Sequence, residues 1–274
     1  MPHLSYSGTE LRKHDNDRYL CTLFAPAAIR ESLFALFAFN SEIARIRETV
    51  SESMLGLIRL QWWREAISSI YSGNPRKHEV VTALASAIHT HQLPEVLFYT
   101  LIDAREADLD DAPPATMSEL ILYAEKTGGV LLELATMITG NHSEQSLKAA
   151  HHLGTAYALI GQLRALPFRL GRYRIMLPAD HLPIEEIKNG KSLETIPPVI
   201  LEIAGIARQH LTEVDKLRAD IPNSALSVFL HYPLASAFLG RIKKFHGDLL
   251  THSIEEPRLP IQLRLFVNGL FSRF

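Results

Sequence analysis

Cysteine is nearly absent from this chain: Cys21 is the only one in 274 residues. That excludes an intramolecular disulfide and any metal site built from several thiolates, and it suits a reducing compartment. An excess of one charge is missing too. The formal net charge is -2, so no basic field argues for nucleic acid as a partner. No uninterrupted apolar run approaches the roughly 18 residues a membrane-spanning helix needs. The opening stretch MPHLSYSGTELRKHDNDRYL has no apolar h-region and does not read as a secretory signal. It is also too short and too acidic for a mitochondrial transit peptide. The expectation is a cytoplasmic protein, free or peripheral at the inner membrane. A mature matrix protein would satisfy the same signals if the source were a eukaryote.

Helical pattern, by contrast, is plentiful. Hydrophobic residues make up 47% and charged residues 21%, proportions that allow a sizeable core. Apolar residues recur at helical spacing nearly everywhere, and few stretches alternate with period two. Leu33, Phe34, Phe37, Ile43 and Ala44 stripe a helix over Ala28–Arg47, and Leu57, Ile58, Trp62, Ala66 and Ile70 another over Met54–Tyr71. Gly73 and Pro75 break the chain before helices expected at Glu79–His91 and Pro94–Leu109. Pro113-Pro114 mark a loop, with Thr116 or Ser118 able to cap the next helix. Long helices are expected at Ser118–Thr139 and Ser143–Leu166, then a loop over Pro167–Asp180 and a short helix between Pro183 and Gly190. Pro197–Asp220, Ser224–Leu250 and Pro260–Arg273 complete the set. With no repeat, linker or composition shift, the economical reading is one all-α domain of about ten helices over 1–274. Its core falls at 12–250 and a closing helix at 260–273.

Three stretches carry a resemblance. The first is DRYLCTLFAPAAIRESLFALFAFNSEIARIRE followed by GLIRLQWWREAI; the second is YAEKTGGVLLELA; the third is GTAYALIGQLRALPFRLGRYRIMLP. Taken in order, they resemble the squalene/phytoene synthase family of head-to-head prenyl transferases. The resemblance implies a single-domain isoprenoid-synthase-type helical bundle around a central cavity. Active members carry two Asp-x-x-x-Asp motifs on facing helices. Carboxylates at i and i+4 project from one face, where they hold Mg2+ ions that neutralise a leaving diphosphate.

Matched residue by residue, those motifs are degenerate. The first falls on Ala44 to Glu48 and keeps an acid only at Glu48; the second falls on Ala165 to Arg169 and keeps none. Pro167 is expected to end the helix that should present it. The polar residues one and two turns earlier in the family fall on Ala158 and Gly161, which with Phe37 are expected to line the cavity. The family pattern survives in Arg164 and the stretch Arg174–Pro178. No catalytic residues, metal ligands or cofactor are therefore expected, and Mg2+ would enter only if prenyl transfer survived on other ligands.

The phrases FAFNSEIARIRETVSE, LIRLQWWREAI and LRALPFRLGRYRIMLP are similar to a non-catalytic branch of that family. It comprises mitochondrial factors that promote biogenesis of respiratory NADH dehydrogenase (complex I) and their bacterial relatives. That resemblance implies complex I subunits or assembly intermediates as partners. Two alternatives stay open: a prenyl transferase condensing allylic diphosphates, and a module that binds an isoprenoid diphosphate or a lipid. For the last, Arg45, Arg47, Arg164, Arg169, Arg172 and Arg174 are candidates to converge on an anionic head group. The plainer reading pairs Arg45 or Arg47 with Glu48 or Glu52.

Other candidates are weaker. Asp103, Glu106, Asp110 and Asp111 form the one acid cluster, which reads as an acidic helix end more readily than as a metal site. His89 and His91 point to different faces, and His151, His152 and His231 lack a Cys or Glu partner at ligand spacing. Cys21 reads as a small core residue. Of the adjacent Trp62 and Trp63, one at most can face the core. The segment RLPIQLRLFVNGLFSRF is apolar on one side and either closes the bundle or touches a membrane surface.

Overall fold

The computed structural model describes residues 4–171, 174–255 and 257–271, and all regular structure among them is helical. The chain opens with two short helices that periodicity does not announce, α1 (Tyr6–His14) and α2 (Asn16–Thr22). Caps make them. The Ser5 hydroxyl accepts from the Gly8 amide at 3.1 Å, and the Asp15 carboxylate accepts from the Arg18 amide at 3.2 Å. Asp15 also donates its own N–H to the Leu11 carbonyl. One residue thus closes the first helix and starts the second.

Helix α3 (Ala27–Ala44) is buried continuously from Leu33 to Ser41 and is the central strut of this half. It ends at Ala44, three residues short of expectation, and α4 (Ile46–Thr49) succeeds it as a single turn. Then come α5 (Ser53–Tyr71), α6 (Glu79–His91) and α7 (Glu95–Ala104), the last running into a 3-10 turn over Arg105–Leu109. The helix expected at Ser118–Thr139 is α8 (Met117–Ala124) and α9 (Val130–Ile138), joined by a π-helical turn at Glu125–Gly129.

The longest helix, α10 (Glu144–Leu170), continues through Pro167. The expected stop at Pro167 does not occur. A proline four residues from the end forfeits one backbone bond to the Leu163 carbonyl, while buried Leu163 and Leu166 keep the last turn docked. The short α11 (Ile184–Lys188) and long α12 (Ile196–Leu217) match the reading. The helix expected at Ser224–Leu250 is instead broken into α13 (Leu226–Phe229) and α14 (His231–Lys244). Pro233 has no N–H to offer the Phe229 carbonyl, and Gly247, at φ 78°, turns the chain beyond α14. Finally, α15 (Arg258–Leu270) packs on α14 and α2.

One continuous apolar cluster runs from Leu11 to Leu265, with α10 packed against α9, α12 and α14 at its centre. Among the described residues one stretch, Asn223–Lys244, is long and apolar enough to cross a membrane; 61% of its most apolar window is buried inside the protein. Trp63 belongs to the core and Trp62 lies half-buried beside it, their rings edge to face. Cys21 is fully buried, and burial pushes its thiol well up.

Candidate functional site

A cavity of about 630 Å³ lies between α2, α3, the π turn, α10 and the start of α15. Buried Gly128, Leu131 and Tyr157 line its depth, and exposed Glu255 and Arg258 its outer end. Ala44 on α3 and Ala165 on α10, where the family resemblance would place the first position of each motif, both face this space, as do Ala158 and Gly161. Phe37 does not: its side chain is 2% exposed and lies beneath the Arg18 guanidinium, 5.8 Å from the ring centre. Glu48 is exposed on α4 and outside the cavity lining.

The six arginines do not form one cluster. Arg45 and Arg164 line the cavity. Arg169 reaches it only through Gln162, to whose side-chain oxygen it donates. Arg47 and Arg174 lie elsewhere and share Asp111, at 2.9 and 3.6 Å. Arg174 also donates to the carbonyls of Asp108 and Asp110, so this pair ties the end of α10 to the loop after α7. Burial and the neighbouring Arg47 lower the Arg174 pKa. Arg172 lies outside the described residues. The expected pairing of Arg45 or Arg47 with Glu48 or Glu52 is not formed. The acid cluster is likewise spent on ion pairs, since Asp103 and Glu106 both bind Arg64.

Several residues that define the site were not singled out from sequence. Asp17 accepts from Arg164 at 2.9 Å and from the Tyr157 hydroxyl at 3.1 Å. Arg164 forks onto Glu255 with bonds of 2.7 and 2.9 Å and lies over the Phe238 ring at 4.2 Å. Burial alone would lower the Arg164 pKa, but Tyr157, Glu255 and Asp17 together raise it. Burial raises the Tyr157 phenol, and Asp17 adds to the effect. Asp15 is paired with Arg18, and Arg105 holds Asn40, Tyr123 and Asp108. The signal was the run Asp15-Asn16-Asp17-Arg18, but nothing local says that it folds against α10, some 140 positions away.

This donor set does not fit a magnesium–diphosphate cluster. Mg2+ needs converging oxygens, whereas Ala44 and Ala165 present only methyl groups to this cavity. Each carboxylate of the cavity, Asp15, Asp17 and Glu255, is already bonded to an arginine. Among the described residues no group of three or more His, Cys, Asp or Glu is placed to hold a metal. The lining instead holds five arginines (18, 45, 105, 164 and 258) against three carboxylates. Arg45 and Arg258 have no side-chain hydrogen bond or ion pair among the described residues.

A second cavity of about 410 Å³ shares His14, Ser41 and Arg45 with the first and extends to Trp62, Trp63 and His78. Burial raises the Glu42 carboxyl there. The histidines also acquire partners that sequence spacing hid. His151 Nδ1 lies 2.5 Å from Glu133, and His152 Nδ1 lies 3.0 Å from His210 Nδ1. His231 Nδ1 is bonded to the Val228 carbonyl, and His91 to Ser32.

Comparison with known proteins agrees with this architecture. The family model described as squalene/phytoene synthase matches residues 11–264. The chain is 33% identical to a Bos taurus protein named NADH dehydrogenase (ubiquinone) complex I, assembly factor 6, over 99% of this chain and 85% of that one. It is 25% identical to a presqualene diphosphate synthase from Sinorhizobium fredii, over 73% of each chain. The crystal structure of a dehydrosqualene synthase in complex with ligand superposes with a TM-score of 0.82 at 16% identity, covering 97% of this chain and 94% of that one. The fold is therefore the all-α isoprenoid-synthase bundle around a central cavity.

Proposed function

The chain belongs to the squalene/phytoene synthase family, and we propose that within it this protein is a non-catalytic factor in the assembly of respiratory complex I. Its likeness to a protein named as a complex I assembly factor spans 99% of its length. The observation that carries the reading is chemical: Ala44 and Ala165 face the cavity where an enzyme of this fold needs metal-binding carboxylates. The partners are complex I subunits or assembly intermediates. The site of action is the inner face of the membrane that holds complex I, cytoplasmic in a bacterium or matrix-facing in a mitochondrion. Deleting the gene in its own organism is expected to remove NADH:quinone activity from membranes while succinate oxidation persists. Equal loss of both, or of neither, would sink the reading.

A second reading is favoured by one observation. Arg45 and Arg258 face the cavity with no side-chain hydrogen bond or salt bridge among the described residues, and arginine holds phosphate without a metal. The cavity then binds an isoprenoid diphosphate or anionic lipid head group without ionising it. The remaining alternative, head-to-head prenyl transfer, is tested by incubating the folded protein with farnesyl and geranylgeranyl diphosphates, Mg2+ and NADPH. A squalene- or phytoene-sized product, absent when the protein is omitted, would overturn the non-catalytic reading.

A further inference from the structure

Helix α15 is apolar on both sides. Ile261 and Leu265, four residues apart, are 5% and 1% exposed and dock it onto the bundle. Gly269 lies against the Phe24 ring so closely that a Cβ there would come within 2.4 Å of it. The helix is thus fixed in rotation. Its outward face carries Leu259, Leu263, Phe266 and Leu270 at i, i+4, i+7 and i+11, with Val267 and Phe271 beside them. Leu259 and Leu270 are 63% and 65% exposed, and the other four lie at half or more. A surface helix of a globular protein ordinarily turns its polar side to water. This one does the reverse.

Charge on the same helix argues for the occupant. Arg258 and Arg264 stand on the two flanks of the apolar stripe, and no Asp or Glu occurs from Pro257 to Phe271. A Leu- and Phe-rich face bordered by arginine is the composition that beds into the head-group boundary of an anionic bilayer. A second copy laid on this face would set arginine flanks against arginine flanks, with no carboxylate in the segment to separate them. Arg258 also lines the large cavity, so the cavity's outer end lies beside the apolar face.

We propose that the outward face of α15 is an interfacial anchor that seats this protein on an anionic lipid surface. The proposal sharpens the membrane-side placement of the proposed function. Its test reads the isolated chain on vesicles, so it holds or fails whatever becomes of the assembly reading.

The experiment is co-sedimentation of the full chain with vesicles of phosphatidylcholine alone, or of phosphatidylcholine and phosphatidylglycerol in equal parts. The variants are Phe266→Ser with Leu270→Ser, and Val96→Ser as a control at an exposed valine on α7. Circular dichroism melts establish that each is folded. The expected result is binding to the anionic vesicles that weakens with salt, falls at least about tenfold in the double variant, and is untouched in the control. Absence of wild-type binding, or a folded double variant that binds as the wild type does, overturns the proposal. Equal binding to neutral vesicles overturns the anionic assignment. A wild-type dimer that the double variant converts to monomer would assign the face to a second copy instead.

Discussion

Gly128 and Gly154 meet backbone to backbone. A Cβ on Gly154 would sit 2.0 Å from the Gly128 carbonyl oxygen, and one on Gly128 would sit 2.2 Å from the Gly154 oxygen. The π turn of Glu125–Gly129 therefore crosses α10 at a distance only glycine allows. One turn further along α10 comes Ala158, then Gly161 and Ala165, all facing the cavity. This crossing sets the spacing of the cavity's deep end.

Gly154→Ala should consequently destabilise the fold by about 2–4 kcal/mol, since backbone rather than a flexible side chain must yield. That corresponds to a Tm lower by roughly 5–15 °C for a chain of this size. Gly161 offers the contrast: a Cβ there meets nothing within 4 Å. Gly161→Ala should hold or slightly raise Tm through helix propensity. Equal melting of the two variants in differential scanning calorimetry would mean the crossing is looser than this.

Arg164 ties the N-terminal elbow to α10, bonding Asp17 at 2.9 Å and Glu255 at 2.7 Å. Removing it strands the largely buried Asp17 carboxylate with Tyr157 as its remaining side-chain partner. Arg164→Ala should cost about 2–4 kcal/mol, the range for breaking a mostly buried pair. Asp17→Asn leaves Arg164 its Glu255 fork and should cost less. In urea unfolding the double variant should lose clearly less than the sum of the two singles. Strict additivity would show that the two groups do not interact.

Helix existence was legible in the sequence, and helix continuity was not. The periodic stripes marked α5, α6 and α12 nearly to the residue, because each has one buried face and a Gly or Pro stop. The short α1 and α2 escaped because capping by Ser5 and Asp15, rather than an apolar stripe, creates them. Pro167 misled in the other direction, since a helix held by buried Leu163 and Leu166 tolerates one lost bond. At the site, the sequence placed Ala44, Ala158, Gly161 and Ala165 through a family pattern. It could not pair Asp17 with Arg164 or Arg47 with Asp111, which are tertiary meetings without local signature.

One buried and one half-buried histidine predict an acid limb in stability. Burial pushes His231 down to about 4, with Arg18 adding to the effect, and pushes His210 to about 4, with His152 adding. Both are ordinarily near 6.5, so the unfolded chain takes up protons that the folded chain refuses. Stability is then full above about pH 6.5 and falls as pH drops toward 4. The fully buried His231 accounts for up to about 3 kcal/mol of this. Urea midpoints should decline over that window, with a shallower slope in His210→Gln. A flat profile from pH 7 to 4.5 would show that both histidines charge freely inside the fold.

Arg45 separates an anion-binding cavity from an empty fold relic. It lines both cavities and makes no side-chain hydrogen bond or salt bridge among the described residues, whereas Arg164, Arg18 and Arg105 are bonded to carboxylates. A guanidinium at a cavity wall with no hydrogen-bonded carboxylate can hold a phosphate through two parallel hydrogen bonds. Farnesyl diphosphate at about a hundred times its Kd should stabilise the fold by about 2.7 kcal/mol, read as a rise in Tm. Because no carboxylate set among the described residues is free for a cation, the rise should be the same in Mg2+ and in EDTA. Arg45→Ala should remove most of it with little change in the unliganded Tm, since the side chain makes no hydrogen bond or salt bridge among the described residues. A rise that requires Mg2+ and survives Arg45→Ala would instead place the diphosphate on metal ligands, and would reopen the case for prenyl transfer.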